Sequence, residues 1–373
     1  MNSRVSLTRC ESYDPFLVQD AVRRSLSLLG GISNFIRPKS KVLVKPNLLV
    51  AKEPESGIVT HPEVVRGVIK LLKEIGCEVF VGDGPSVWGA HAQNIDEVHS
   101  RAGMKRICEE ENVRLVKFSK SFWKGDFPLT EWLRECDYFV SLPKLKTHEL
   151  TLLTGAVKNI FGLISTNYKT ELHRKFFEAD KFAGMLVDLL TQARPALSIV
   201  DGIVAMEGDG PASSGKLRNE GLIVAGDDPV AIDSVLARLM GLKPLDILST
   251  REAAARRLGE ADINSIEVLG EKLEDVIKKP FQLPVSSLLR RKWPAFIIAI
   301  AKKIIKFYPE LVHKECIDCG ACIEACPNKI ISRKNGRMAI DYSKCISCFC
   351  CQESCIAKAI KVKKSFFARL LGI

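Results

Sequence analysis

From Pro38 to about Leu273, short apolar runs of period two alternate with segments whose apolar residues recur at three- and four-residue steps. That is the pattern of strands alternating with helices. Lys41–Lys45, Glu78–Val81, Arg114–Phe118, Asp137–Leu142, Leu197–Val200, Gly221–Ala225 and Ser265–Leu269 read as strands. Pro62–Ile75, Asp96–Glu111, Lys181–Ala193, Pro229 to about Met240 and Pro244–Leu258 read as helices. The alternation predicts an α/β fold: a mostly parallel sheet with helices on both faces. Further on, Trp293, Phe296, Ile297, Ile300, Ile304 and Phe307 make one apolar stripe of another helix, with Pro294 in its first turn.

The polar residues between these elements fall where chemistry is usually found. Lys45-Pro46-Asn47 closes the first strand, Gly82-Asp83-Gly84-Pro85 the second, Pro143-Lys144-Leu145-Lys146-Thr147-His148 another, and Asp201-Gly202 yet another. In open α/β sheets the carboxyl edge of the strands hosts the ligand crevice. Lys158, Asn159, Lys169 and His173 follow and add cationic groups. Converging with Lys45, Lys144 and Lys146, they would suit a carboxylate or a phosphate. Each also has a plain structural reading: Asp83 and Asp201 as turn formers, Asp227 or Asp228 as a cap for a helix starting at Pro229, the lysines as solvated charges. A metal held by His61, His148 and His173 is an alternative, but no shared helix face supports it.

Two nucleotide motifs fail. Gly210–Lys216 fits G-x4-G-K, yet Leu217 stands where Ser or Thr should hold magnesium. No G-x-G-x-x-G follows a strand. The Gly208–Gly215 stretch reads as a mobile loop or lid.

Cysteine usage changes the picture. Nine of the thirteen cysteines lie between Cys316 and Cys355. Cys316, Cys319, Cys322, Cys326 and Pro327 match C-x2-C-x2-C-x3-C-P, and Cys345, Cys348, Cys351 and Cys355 repeat the spacing. This is the run of two-cluster ferredoxins, in which the fourth cysteine of each run ligates the other cluster. The expectation is two 4Fe–4S clusters, one on Cys316, Cys319, Cys322 and Cys355, the other on Cys345, Cys348, Cys351 and Cys326. Zinc sites usually pair two C-x2-C units at longer separation, so zinc fits less well. Ile356 replaces the second proline, and Cys350 adds a thiol beside Cys351.

Charge is local. The formal charge is +11, but Val276–Pro309 holds eight basic residues and Ala357–Ile373 five, neither with an acid. The rest of the chain is therefore near −2. A basic patch flanking the cysteines points to a partner contacted there. Lys302, Lys303 and Lys306 lie largely opposite the apolar stripe, so that helix reads either as a docking linker or as an interfacial helix on anionic lipid. The tail residues Phe366, Phe367 and Leu370 would assist the second reading. No nucleic-acid module or aromatic interleaving accompanies the basic residues. No apolar run reaches the length of a membrane span, and Arg4, Arg9, Asp20, Arg23 and Arg24 break any leader-like stretch. The expected location is the cytoplasm, with peripheral contact at the inner membrane face as its variant.

Lys45-Pro46-Asn47, Pro143–His148, Gly155–Gly162, Asp201-Gly202, Gly208–Pro211 and Gly226–Asp233 together resemble the family of domain of unknown function 362 over roughly residues 40–245. Members of that family often carry a C-terminal two-cluster ferredoxin module. The resemblance implies a fold and a site without naming a reaction, and marks Lys45, Asn47, Lys144, His148, Lys158, Asn159, His173, Asp201 and Asp233 as its polar positions. The expected organisation is an α/β domain over 1–275, a basic amphipathic linker over 276–310, a ferredoxin-like α+β domain over 311–363 and a tail over 364–373. The functional expectation is an iron–sulfur oxidoreductase passing electrons between its clusters and a small anionic substrate. Lys45, Asn47, Lys144 and Lys158 would hold the substrate, and His148 or Asp201 would move protons. The alternative is a non-catalytic electron-transfer or cofactor-maturation protein acting on a partner protein.

Overall fold

The computed structural model describes residues 3–85, 94–211, 215–284 and 307–365. The first part of the chain supplies twelve strands. These are β1 (Ser3–Arg9), β2 (Lys41–Pro46), β3 (Glu78–Val81), β4 (Arg114–Leu115), β5 (Ser121–Lys124), β6 (Phe127–Thr130), β7 (Tyr138–Leu142), β8 (Lys144–His148), β9 (Leu152–Thr154), β10 (Leu197–Gly208), β11 (Gly215–Gly226) and β12 (Ile266–Gly270). All but the β5–β6 hairpin belong to one sheet, ordered β12-β1-β11-β10-β7-β2-β3-β4, with β8 beside β10 and β9 beside β8. β10, β7, β2, β3 and β4 run parallel, whereas β11 is antiparallel to both β1 and β10.

Alternation along the strands divides the core into layers. Val42 and Val44 pack with Val18 and Val22 of helix Pro15–Leu28 and with Val64 and Val68 of helix Pro62–Glu74. Leu43, between them in sequence, joins Phe182, Leu186 and Leu189 of helix Ala179–Gln192 on the other face. The α/β class with helices on both faces is what the chain adopts.

Several elements differ from the sequence reading. The expected helix Asp96–Glu111 is two helices, Ile95–Arg101 and Met104–Glu110, because Gly103 takes a left-handed conformation (φ 75°) between them. β1 and helix Pro15–Leu28 precede the region in which elements were expected, although Asp14 caps that helix on the Phe16 and Leu17 amides and Pro15 opens it. β10 continues to Gly208, so Asp201 lies inside a strand and not beyond its end. Gly208 pairs with Gly215 at the end of the β10–β11 ladder, and residues 212–214 of the expected loop lie outside the described residues.

The cysteine-rich part is built on β13 (Phe307–Leu311) paired antiparallel with β16 (Ile360–Lys364), and on the hairpin β14 (Ile331–Lys334) with β15 (Arg337–Ile340). Phe307, expected to end a helical stripe, instead pairs with Lys364, so this unit begins before residue 311. Lys361 and Lys363, counted above with the free basic tail, pair with Glu315 and Glu310. The remainder of the expected basic helix, Trp293 to Lys306, lies outside the described residues. Among the described residues no helix is long and apolar enough to cross a membrane.

Candidate functional site

At the carboxyl edge of β2, β3 and β7 the polar residues form a connected floor. Lys45 and Asp83 are both buried and make an ion pair of 2.7 Å. The Leu48 amide donates to the other Asp83 oxygen at 2.7 Å. Lys45 also donates to the Pro46 carbonyl at 3.1 Å and to Asn159 Oδ1 at 3.3 Å. Asn47 Nδ2 donates to that same Asn159 oxygen at 3.1 Å, while Asn159 Nδ2 donates to Ser141 on β7 at 2.9 Å. This close packing explains one family glycine: a Cβ on Gly162 would collide with the Asp83 carboxylate and the Lys45 ammonium.

Asp233 has a positioning role. Its two oxygens accept from the Ala156 amide at 2.6 Å and the Val157 amide at 3.2 Å, pinning the short helix Ala156–Asn159 that carries Lys158 and Asn159. Gly155 is required because a Cβ there would overlap the Asp233 carboxylate.

Above the floor lies a group of cations with few acids to match. Lys146 donates to the Ile58 carbonyl at 2.6 Å and Lys169 to the Gly84 carbonyl. Lys158 is half-buried, 5.7 Å above the Phe161 ring, and Lys169 lies 5.8 Å from that ring. His173 stacks on Phe182 at 4.7 Å. Burial pulls both Lys146 and Lys169 down to about 7, with Lys158 adding to the effect, and pulls His173 down to about 3. It also lowers Lys45 and Lys158. His148 is fully buried and held well below the ordinary histidine range by burial and then by Lys158, so it is neutral. Its Nδ1 accepts from the Leu150 amide at 3.0 Å, which puts the imidazole proton on Nε2.

The acid that meets this group comes from the cysteine-rich unit. Glu353 is 5 % exposed, and its carboxylate lies 3.3 Å from His148 Nε2. Burial raises its pKa, and Lys158 followed by Lys146 opposes that rise. A second link runs from Lys52 to the Ile356 carbonyl at 3.0 Å. The sequence reading missed Glu353; the run of cysteines around it carries no periodic signal for an acid directed at another domain.

Lys144 and Asp201, expected in the crevice, are committed elsewhere. They form a fully buried ion pair of 2.8 Å, and Lys144 also donates to Tyr13 at 2.6 Å. Tyr13 in turn donates to Asp201 at 2.8 Å and stacks on His61 at 3.7 Å. The His61 amide donates to Asp201 at 2.9 Å. Lys144 is therefore no free cation for a ligand, and Asp201 already accepts from several donors. His61 belongs to this cluster, apart from the pair His148 and His173. Among the described residues no three His, Cys, Asp or Glu side chains form a single-ion site, so the three-histidine alternative is not formed.

Thiols of the cysteine-rich unit act on one another. Cys355, Cys319 and Cys316 are the thiols that act on Cys322, and with burial they push it to about 11. Burial, and after it Cys348, Cys326 and Cys345, raise the Cys351 thiol well above its ordinary range. A small pocket has Cys326, Cys345, Cys348 and Cys351 on its wall, among Ile330, Ile331, Ile340 and Phe349. Four thiols crowded in an apolar setting repel one another as thiolates, and iron bound among them removes that cost. The donor set fits a cubane. Cys350 is buried against Ala325 and Cys348 and hydrogen-bonds to Cys348, lowering that thiol. By contrast Cys10 and Cys108 are buried thiols pushed up to about 11 and about 12.

An α/β domain bearing a cationic strand-edge cluster, joined to a ferredoxin-like unit, defines an iron–sulfur protein of the 4Fe–4S type. Residues 309–356 match the 4Fe-4S dicluster domain and residues 42–238 the domain of unknown function DUF362. The chain belongs to the DUF362 family. It is 32% identical over 326 residues to the thylakoid-associated protein sll1697 of Synechocystis sp., covering 83% of this chain and 99% of that protein. Among solved structures, lactate racemase apoprotein from Thermoanaerobacterium thermosaccharolyticum matches 60% of this chain and 54% of its own length, at 15% identity and a TM-score of 0.35. A loganic acid methyltransferase with SAH matches 81% of this chain and 73% of its own, at 10% identity and a TM-score of 0.26. Neither likeness bears on the chemistry.

Proposed function

We propose that the protein is an oxidoreductase in which two 4Fe–4S clusters exchange electrons with a small anionic substrate held in the lysine-lined crevice. The observation that carries this reading is the seating of Glu353, two residues beyond the ligand Cys351, against His148 of the crevice. It supports a cluster held close to the anion site.

When bound, the clusters would supply single electrons at low potential. The chain's own residues do the rest. Lys158, Lys146 and Lys169 attract and orient the negative groups of the substrate, helped by the low dielectric of a desolvated site. Asn159 and Asp233 fix the helix that carries Lys158. Lys45, neutralised by Asp83, serves as floor and holds Asn159, which in turn holds Asn47. Neutral His148 offers its Nε2 hydrogen to the bound molecule as a hydrogen-bond donor.

The test is optical. Anaerobically reduced protein should be reoxidised by a small set of anionic metabolites, and Lys158→Ala should lose that reoxidation while retaining its iron and sulfide. Clusters that are reoxidised only by a partner protein, and ignore every metabolite tried, would establish a carrier or maturation factor instead.

The relative's description as thylakoid-associated favours a second, compatible reading, in which the basic segments attach the protein peripherally to anionic membrane. Flotation with anionic liposomes at low salt, lost on neutralising Lys302, Lys303 and Lys306, is the expected result; absence of flotation ends this reading.

A further inference from the structure

Glu353 occupies the crevice in an unusual way. Its carboxylate comes from the cysteine-rich unit, more than two hundred residues along the chain from His148, and yet it is buried among groups of the other domain. It is close to His148 Nε2 at 3.3 Å, but neither that nitrogen nor Glu353 Oε1 gains a hydrogen bond of good geometry. His173 Nδ1 is likewise buried without a hydrogen-bond partner. The tether brings the acid to its place without letting it align. A buried donor and acceptor left misaligned carry a desolvation cost that no hydrogen bond offsets. Moreover, among the described residues the acids that act on Lys45, Lys146, Lys158 and Lys169 are Asp83 and Glu353, with the Cys350 thiol also acting on Lys158. The crevice is short of negative charge even with Glu353 in it.

We infer that Glu353 is a tethered stand-in for the carboxylate of the substrate, and that the crevice takes a free small carboxylate in exchange for it. This rests on the reading of the crevice as an anion site. An untethered carboxylate can turn to accept from His148 Nε2 with good geometry while its second oxygen, or a second carboxylate, meets Lys158 and Lys146. The resident group is planar and the fixed donor is a single imidazole N–H, an arrangement matched to a carboxylate more closely than to a tetrahedral phosphate, which favours forked guanidinium donors or nests of backbone amides. The exchange also has a functional consequence: a substrate entering the crevice displaces the residue that lies between two ligands of the clusters, Cys351 and Cys355.

The experiment is calorimetric titration of the full, cluster-loaded protein under anaerobic conditions with malonate, inorganic phosphate and, as a neutral control, malonamide. A tethered competitor acts at an effective concentration near the millimolar range, so its removal should tighten malonate binding by about tenfold or more. Glu353→Gln, which keeps the side chain's shape, is therefore expected to bind malonate at least about tenfold more tightly than the wild type, and Lys158→Met in that background to abolish the gain. In the wild type, which needs no substitution to fold, saturating malonate should speed amide hydrogen exchange in residues 350–356. Equal malonate affinity with and without Glu353, lost in Lys158→Met, would leave the anion site standing and overturn the stand-in. A gain for phosphate but none for malonate would overturn the carboxylate assignment. No binding of either anion to any variant would overturn the anion site and this inference with it, and unchanged or slowed exchange on adding malonate would overturn the displacement.

Discussion

Lys144 and Lys146 lie two residues apart on β8, and both are fully buried. Lys144 meets a carboxylate at 2.8 Å and a phenol at 2.6 Å, and its partners are themselves held by further hydrogen bonds. Lys146 meets one carbonyl at 2.6 Å, while Lys158, a cation, is the charged neighbour acting most strongly on it. The first is a closed electrostatic unit that binds β8 to β10 and to the N-terminal segment. The second is an open one, held by a carbonyl where the first has a carboxylate. Burial of a charge alone therefore does not mark a site; a buried charge without a counter-charge does.

The largest effect should separate the two lysines by stability. Lys144→Ala leaves Asp201 buried and unpaired and should destabilise the fold by about 3–5 kcal/mol in denaturant unfolding. Lys146→Met removes a poorly compensated buried charge and should cost less than about 1 kcal/mol, or stabilise. Equal losses would erase the distinction. Next comes the floor shared by the open site: Gly162→Ala forces a Cβ into Lys45 and Asp83 and should cost roughly 1–3 kcal/mol, with weakened anion binding.

A smaller effect sharpens the contrast through pH. Burial pulls Lys146 down to about 7 in the folded protein, whereas in the unfolded chain it holds its proton to about 10.4. Between those values the unfolded state binds more protons, so stability rises with pH across that window. Stability of the wild type measured against Lys146→Met should therefore increase from pH ~7 to ~10 and be flat below ~7. A difference independent of pH would show that Lys146 is not held as an uncompensated cation.

The sequence exposed the elements with strong period and cap signals, such as β2, β3 and helix Pro62–Glu74, and the spacing of the cysteines. It grouped Lys45, Asn47, Lys144, His148 and Asp201 as strand-edge residues, but Asp201 lies inside β10, and strand-edge position does not specify a partner. Whether Lys144 is spent on Asp201 depends on Tyr13, from a segment in which no element was expected, and on β10 continuing past Val200. Asp201 was placed at a strand end because Asp-Gly is a turn signal; pairing with β11 overrode it. Glu353 was invisible for a different reason, since its role comes from the seating of one unit on another, which no local pattern encodes.

The central claim is that the second quartet of cysteines adjoins the cationic crevice and serves it. Its most direct test is the reduction potential of each cluster, followed by EPR-monitored titration, in wild type and Lys158→Met. Removing a nearby positive charge should lower the potential of the cluster on Cys345, Cys348, Cys351 and Cys326 by on the order of tens of mV and leave the other unmoved. Two unmoved potentials, or two that shift equally, would contradict it.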